Sequence, residues 1–93
     1  MRRLAKSKLD RAAKIFLAHG AREVYLFGSR ARGRDKPTSD VDFAVVGLPA
    51  GSFFRAMGEV IEAVGRPVDL VDLDQDTPFT RYLRTDGDLV RVA

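Results

Sequence analysis

The part of the chain best suited to chemistry runs from Gly28 to Asp42, where a Gly-Ser pair is followed ten residues later by Asp-Val-Asp. Residues i and i+2 of a β-strand point to the same side, so Asp40 and Asp42 are predicted to share one face, about 6.6–6.8 Å apart along the strand. Aspartate is disfavoured in strands, and two neighbouring carboxylates repel each other. The pair therefore indicates a positive charge close by.

Three interpretations of the aspartate pair are open from its spacing alone. A divalent cation suits the pair, because carboxylate oxygens are the hard ligands that Mg²⁺ accepts. Arginine could supply the charge instead, since eleven basic residues precede Asp40. The pair could also be an exposed strand start, in which Asp40 ends the loop and Ser39 caps it.

The glycine turn before the pair favours binding of phosphate. Gly28 lets the backbone approach a ligand closely, and the N–H groups of the turn, with the Ser29 hydroxyl, can hold phosphate oxygens. The segment GSRARG lacks the Lys-Ser/Thr pair of a Walker A loop, and it does not match G-x-G-x-x-G. The spacing of ten residues between the Gly-Ser pair and the two carboxylates makes the combination of turn and carboxylates specific.

A third carboxylate is expected on the strand predicted at residues 68–73. By parity, Asp69 and Asp72 point to opposite faces of that strand. Asp69 lies near the start, where a neighbouring strand can bring it beside Asp40 and Asp42, so we predict that Asp69 completes the site. Asp72 is predicted to be a surface residue at the end of the strand.

Apolar periodicity predicts the elements that must position these side chains. Helices are predicted to begin near Ser7, at Ser52 and at Thr77-Pro78, and the first two to end at Gly20 and Gly65. Strands are predicted at residues 23–27, 40–46, 68–73 and 88–92. Tyr25 and Tyr82 are predicted to serve the core. This order implies an α+β fold with two layers, a small mixed β-sheet with helices packed on it.

Length and composition predict one small domain over residues 1–93. The chain has no cysteine and one histidine, which excludes disulfides, thiolate metal sites and histidine clusters. No apolar run reaches the ~18 residues of a membrane span, and the basic N-terminus lacks the apolar stretch of a signal peptide, so a cytoplasmic location and no membrane partner are predicted.

Charge is divided unevenly along the chain. Residues 1–36 carry eleven basic and three acidic side chains, whereas residues 37–93 carry five and ten. The asymmetry suits a site that handles a polyanion with metal ions, or docking to a charged partner. An ordinary charged surface is the alternative explanation.

The string GS, ten residues and DVD resembles the G-S-x10-D-x-D signature of the polymerase-β-like nucleotidyltransferase superfamily. GSRARG and SDVDF resemble its short bacterial and archaeal members, the minimal nucleotidyltransferases (MNT). PVDLVDL is similar to the later strand that carries the third carboxylate of the family, which falls on Asp69. RYLRTDGDLVRV is similar to the closing helix, glycine turn and last strand, with Asp86 where many relatives carry glutamate. The resemblance covers nearly the whole chain.

The resemblance implies an Mg²⁺-dependent nucleotidyltransferase that uses two metal ions and ATP. The catalytic, metal-binding carboxylates would be Asp40, Asp42 and Asp69. The nucleotide-binding residues would be Gly28, Ser29, Arg30 and Ser39. In-line attack on the α-phosphate would transfer a nucleoside monophosphate and release pyrophosphate.

The resemblance also implies where the acceptor is found. Larger relatives add a second domain that grips the acceptor, and this chain has none, so the acceptor is expected on another molecule. MNT proteins of this type are typically antitoxins paired with small helical HEPN ribonuclease toxins, which implies transfer of AMP to a tyrosine of such a toxin.

Two alternative functions differ in class from this one. The first is a catalytically idle antitoxin that neutralises its toxin by forming a complex. The second is nucleic-acid binding through the basic first half of the chain. The few aromatic residues in that half, and the interleaving of its basic residues with a predicted core helix, disfavour nucleic acid as a partner.

Overall fold

A computed structural model describes residues 6–27, 41–87 and 89–93 of the chain. Its helices are α1 (Lys6–Ala18), α2 (Phe53–Val64, preceded by a 3-10 turn at Ala50–Ser52) and α3 (Pro78–Thr85). Its strands are β1 (Glu23–Leu26), β2 (Val41–Val46), β3 (Val68–Asp72) and β4 (Val90–Arg91). The predicted α+β class with a small mixed sheet is confirmed. Within the described ranges, no helix is long and apolar enough to cross a membrane.

The described strands form one sheet in the order β3-β2-β1-β4. β1 is antiparallel to both β2 and β4, whereas β2 and β3 are parallel. The parallel pair follows from α2, because a crossover helix between two strands lets the second run in the same direction as the first. The starts of β2 and β3 therefore lie at the same end of the sheet, beside the end of β1.

One face of the sheet is covered by α1 and α2. Val41, Phe43 and Val45 of β2 are fully buried against this helical layer. The ring of Phe16 in α1 meets that of Phe43 edge-on, with ring centroids 5.4 Å apart. Because side chains alternate along a strand, this buried side holds β2 in place and directs Asp42 to the opposite face.

The opposite face of the sheet is partly covered by α3. The buried residues of this second cluster are Phe27, Ala44, Leu73 and Leu83. Tyr25 packs against the cluster, as predicted. The prediction for Tyr82 is wrong, because 48% of this residue is exposed on the outer side of α3. The apolar periodicity of a short helix does not tell how far a neighbouring sheet extends beneath it.

The helix ends follow the local sequence. Gly65 ends α2 in the left-handed conformation, with φ of 72°. Thr77 and Thr80 form a capping box at the start of α3, with backbone-to-hydroxyl distances of 3.1 Å and 3.0 Å. Ser52 occupies the N-cap position of α2 but makes no side-chain capping bond to the described backbone. Ser7, expected as a cap, lies within α1.

Replacing Phe43 by alanine is expected to lower the free energy of unfolding by about 3–5 kcal/mol, because it removes a fully buried ring and leaves a cavity. Urea unfolding followed by circular dichroism measures the change. Phe54→Ala is the matched control, since Phe54 is 74% exposed, and it is expected to stay within about 0.5 kcal/mol of the parent. Equal losses in the two variants would contradict this placement of the core.

Two glycine substitutions are expected to act in opposite directions. A Cβ atom added at Gly87 would lie 2.6 Å from the Cα atom of Leu83, so Gly87→Ala is expected to destabilise the fold by about 1–3 kcal/mol. At Gly58, in the middle of α2, an added Cβ would have no described atom within 4 Å apart from the glycine itself, its chain neighbours and the nearby backbone of its own helix. Gly58→Ala is therefore expected to stabilise the fold by about 0.5–1 kcal/mol. Thermal unfolding midpoints that move in the same direction for both variants would contradict this difference.

Candidate active site

Asp42 and Asp69 lie side by side at the starts of the two parallel strands. The register of β2 and β3 pairs Asp42 directly with Asp69, and neighbouring strands are about 4.8 Å apart. At this end of the sheet, the backbone N–H of Val41 donates to the carbonyl oxygen of Pro67 at 2.9 Å. Alternation along both strands puts the two carboxylates on the face opposite α1 and α2. The structure thus brings Asp69 next to Asp42, as expected.

The acidic pair lies where the cover provided by α3 ends. The next residues along the same face, Ala44 and Val71, are also paired in register and pack with the cluster beneath α3. Asp42 is half-buried, whereas Asp69 is exposed. A dissolved ligand can therefore reach Asp69 from the side of the sheet on which α3 lies.

The end of β1 is hydrogen-bonded to the strand that carries Asp42. The backbone N–H of Phe27 donates to the carbonyl oxygen of Asp42, with an N···O distance of 3.1 Å. Phe27 directly precedes the Gly28-Ser29 pair in the sequence. The chain therefore enters the predicted phosphate-binding turn from a position beside Asp42.

The other predicted site residues lie outside the described residues. They are Gly28, Ser29, Arg30, Ser39 and Asp40. Their placement around Asp42 and Asp69 stays a prediction. Within the described ranges, no group of three or more His, Cys, Asp or Glu side chains is arranged to hold a metal ion. The described part of the chain thus supplies two of the three carboxylates expected from the sequence.

The Asp42–Asp69 pair fits the chemistry of a magnesium site. Carboxylates from adjacent strands offer hard oxygen ligands on one face of the sheet. The exposure of Asp69 leaves room for water, which Mg²⁺ usually keeps among its ligands. A divalent cation between the strands would also offset the repulsion between two negative charges at this spacing.

Asp72, the competing candidate, takes part in the loop after β3. Its Oδ1 atom accepts a hydrogen bond from the backbone N–H of Asp74 at 2.9 Å. The Oδ2 atom of Asp74 in turn accepts from the backbone N–H of Gly47 at 2.7 Å, which links this loop to the one after β2. These carboxylates therefore organise loops at the ends of β2 and β3, away from the strand starts that carry Asp42 and Asp69.

Tyr25 shares the face of the sheet on which the carboxylates lie. Its hydroxyl donates to the Oε1 atom of Glu23 at 2.6 Å. This hydrogen bond, together with desolvation and the negative charge of Glu23, raises the pKa of Tyr25, against the opposing effect of Arg91 and Arg84. Tyr25 therefore stays protonated at neutral pH and contributes a hydroxyl, not a charge, to this face.

Two further residues near this end of the sheet were not singled out by the sequence. The ring of Phe79 packs edge-on against that of Phe27, with centroids 6.0 Å apart, yet 48% of Phe79 is exposed. Arg66 directly precedes Pro67 and is partly buried. In the sequence, only the position of Arg66 just before the PVDLVDL segment could have indicated that this residue lies near the site. Nothing in the spacing separates Phe79 from a core residue, because its exposure depends on how α3 lies on the sheet.

Known proteins resemble the chain in sequence. The profile of the family described as Polymerase beta, Nucleotidyltransferase matches residues 12–91, a range that includes both Asp42 and Asp69. A protein of Methanocaldococcus jannaschii that carries the provisional name protein adenylyltransferase MJ0435 is 33% identical over 70 residues. That alignment covers 72% of this chain and 75% of the relative.

Solved structures resemble the chain in fold. A crystal structure of a toxin–antitoxin with AMP-PNP matches with a TM-score of 0.69 and 26% identity, over 92% of this chain and 72% of the other. A structure of a tri-AMPylated HEPN toxin of Shewanella oneidensis in complex with an MNT antitoxin matches with a TM-score of 0.59 and 23% identity. The second match covers 78% of this chain and 60% of the other.

Removing either carboxylate of the pair is expected to weaken cation binding. Asp42→Asn and Asp69→Asn should each lower the affinity for Mn²⁺, a paramagnetic substitute for Mg²⁺, by roughly tenfold or more, because each removes a charged oxygen ligand. Titration of free Mn²⁺ by electron paramagnetic resonance measures the affinity. Asp72→Asn is the matched control and should bind Mn²⁺ as the parent does. Undiminished affinity in both site variants would rule out this pair as a metal site.

Proposed function

The chain belongs to the polymerase beta nucleotidyltransferase family, and we propose that it transfers AMP from ATP to a hydroxyl group of a partner protein. Family membership makes the chain a nucleotidyltransferase. The observation that carries the proposal is the pairing of Asp42 of β2 with Asp69 of β3, where β2 is also the neighbour of β1. Three points are proposed and do not follow from family membership: that the transferred group is AMP, that it is transferred to a hydroxyl group, and that this hydroxyl belongs to a partner protein.

In this proposal the triphosphate binds to the turn after β1. The backbone N–H groups at Gly28 and Ser29, with the Ser29 hydroxyl, would hold the β- and γ-phosphates. Arg30 would screen the negative charge of the triphosphate, and Ser39 would contribute a further polar contact to the nucleotide. The position of Phe27 beside Asp42 supports this arrangement, since Phe27 leads directly into the turn.

Asp40, Asp42 and Asp69 would hold two Mg²⁺ ions. The pairing of Asp42 with Asp69 supports this role, because it puts hard oxygen ligands from two strands on one face. What magnesium supplies when bound is neutralisation of the charge on the phosphates and on the attacking and leaving oxygens.

The transfer itself would be an in-line substitution at the α-phosphorus. The oxygen of the acceptor hydroxyl would form a bond to the α-phosphorus, and Asp69 would accept the proton that this hydroxyl loses. The bond from the α-phosphorus to the oxygen that bridges to the β-phosphate would break, and pyrophosphate would leave with that oxygen. The exposure of Asp69 supports this role, because a group on another molecule can reach its carboxylate.

We further propose that the acceptor is a tyrosine of a HEPN toxin and that the chain acts as its antitoxin. Support comes from the names of two matching structures, one a toxin–antitoxin with AMP-PNP and the other an AMPylated HEPN toxin with an MNT antitoxin. We place the reaction in the cytoplasm, where ATP is available, and we treat residues 1–93 as one nucleotidyltransferase domain.

The proposed transfer predicts a covalent change in the partner. Mixing the chain with Mg-ATP and the HEPN protein encoded by a neighbouring gene is expected to add the mass of AMP to that protein, as measured by intact-mass spectrometry. Asp42→Ala should reduce the rate at least roughly a hundredfold, because it removes a ligand of the Mg²⁺ ions that would neutralise the developing charge. Asp72→Ala is the control and should keep the activity.

Two results separate the proposed enzyme from an idle binding antitoxin. Absence of any AMP adduct with the parent chain and its partner would refute the transfer. In co-expression, Asp42→Ala should fail to relieve toxicity, because it still binds the toxin but does not modify it. Full neutralisation by Asp42→Ala would instead favour inhibition by complex formation alone.

A further inference from the structure

We propose that the two half-exposed aromatic residues of α3, Phe79 and Tyr82, form the docking surface for the acceptor protein. The partner is a protein segment that carries an accessible tyrosine flanked by apolar side chains. Phe79 and Tyr82 together are called the α3 patch below. This inference rests on the proposed function, since it concerns the approach of the acceptor to the same site.

The position of the carboxylates fixes the side from which an acceptor must approach. Asp42 and Asp69 lie on the face of the sheet opposite α1 and α2, because Val41 and Phe43 are buried against those helices. The sheet and two helices therefore separate the carboxylates from any molecule bound on the outer side of α1 or α2. An acceptor hydroxyl that reaches Asp69 has to approach on the face that carries α3.

Among the described residues, α3 provides large exposed apolar side chains on that face. Thr80 and Leu83 form the inner side of the helix, each 3% exposed. Phe79 and Tyr82 are each 48% exposed, and their spacing of three residues puts them on neighbouring positions of one side of the helix. Aromatic side chains of this kind are enriched at the centres of protein interfaces.

The α3 patch is connected to the acidic pair through one residue. The ring of Phe79 contacts that of Phe27, and the backbone N–H of Phe27 donates to the carbonyl oxygen of Asp42. A protein segment lying on Phe79 is therefore close to the strand that carries Asp42. This short connection argues for the acceptor, and not an unrelated partner, as the occupant of the patch.

Local structure holds the α3 patch in place before any partner binds. The capping box of Thr77 and Thr80 fixes the first turn of α3, which contains Phe79. The Thr80 hydroxyl also donates to the carbonyl oxygen of Gln75 at 2.6 Å, which ties the helix to the loop before it. A surface that is already ordered loses little conformational entropy on binding.

Exposed apolar residues on the other side of the molecule provide a matched control. They include Leu17 of α1 and Phe54 and Ile61 of α2. Phe54 is 74% exposed, and its substitution by alanine removes the same atoms as that of Phe79. If the acceptor docks on α3, Phe54→Ala leaves acceptor binding unchanged.

The test measures binding of the purified HEPN partner by titration calorimetry without nucleotide. Phe79→Ala and Tyr82→Ala are each expected to weaken this binding by roughly tenfold or more, with the KM for ATP unchanged and the KM for the acceptor raised. Tyr82→Phe keeps the ring and should bind as the parent does. If Phe79→Ala proves unfolded by circular dichroism, Tyr82→Ala and Tyr82→Phe decide the question.

Several binding and association results would overturn the docking surface. They are unchanged acceptor binding in both alanine variants, weaker binding in Phe54→Ala, a raised KM for ATP without loss of acceptor binding, and a self-associated parent chain that the patch substitutions dissociate in sedimentation.

Binding that depends on the patch without any AMP adduct would refute the proposed transfer alone. Transfer with an unchanged KM for the acceptor in the patch variants would refute the docking surface alone.

Discussion

The parallel pairing of β2 with β3 is the interaction on which the rest of this structure depends. It alone brings Asp42 and Asp69, which are distant in the chain, into direct register on one face. The pairing is maintained by the burial of Val41, Phe43 and Val68 on the other face. A slip of one residue in either strand would expose that strand's apolar side chains and turn its aspartate into the core, at a cost of several buried side chains. The register of the candidate site is therefore fixed by the same contacts that stabilise the fold.

The two faces of the sheet have different tasks. α1 and α2 bury one face of the sheet, and this burial holds β2 in place. The contact between the rings of Phe16 and Phe43 is part of it. α3 covers the other face only in part, so that Ala44 is buried while Asp69, near the starts of the strands, remains accessible. This division reconciles two opposed requirements, because a carboxylate needs solvent and ligands whereas a small domain has little apolar surface to bury and needs a sheet face covered to be stable.

The partial cover by α3 also puts the candidate active site close to the proposed docking surface. Phe27 ends β1 beside Asp42, leads into the Gly28-Ser29 pair and packs against Phe79. One residue thus lies next to the acidic pair, to the predicted phosphate-binding turn and to the proposed docking surface. In the proposed function, a partner protein would complete the surroundings of the acidic pair from the α3 side, where Asp69 is exposed.

The sequence by itself determined the features that depend on neighbouring residues. Strand alternation set Asp42 apart from the buried Phe43, parity distinguished Asp69 from Asp72, and Gly65 and Thr77 marked helix ends, because each is a matter of local backbone geometry. Only the tertiary structure decided that Asp42 is the residue paired with Asp69, since that register depends on how α2, which connects β2 to β3 along the chain, packs on the sheet. It also decided that Phe79 and Tyr82 are half-exposed, because the area of sheet beneath α3 is set by long-range packing that no local pattern encodes.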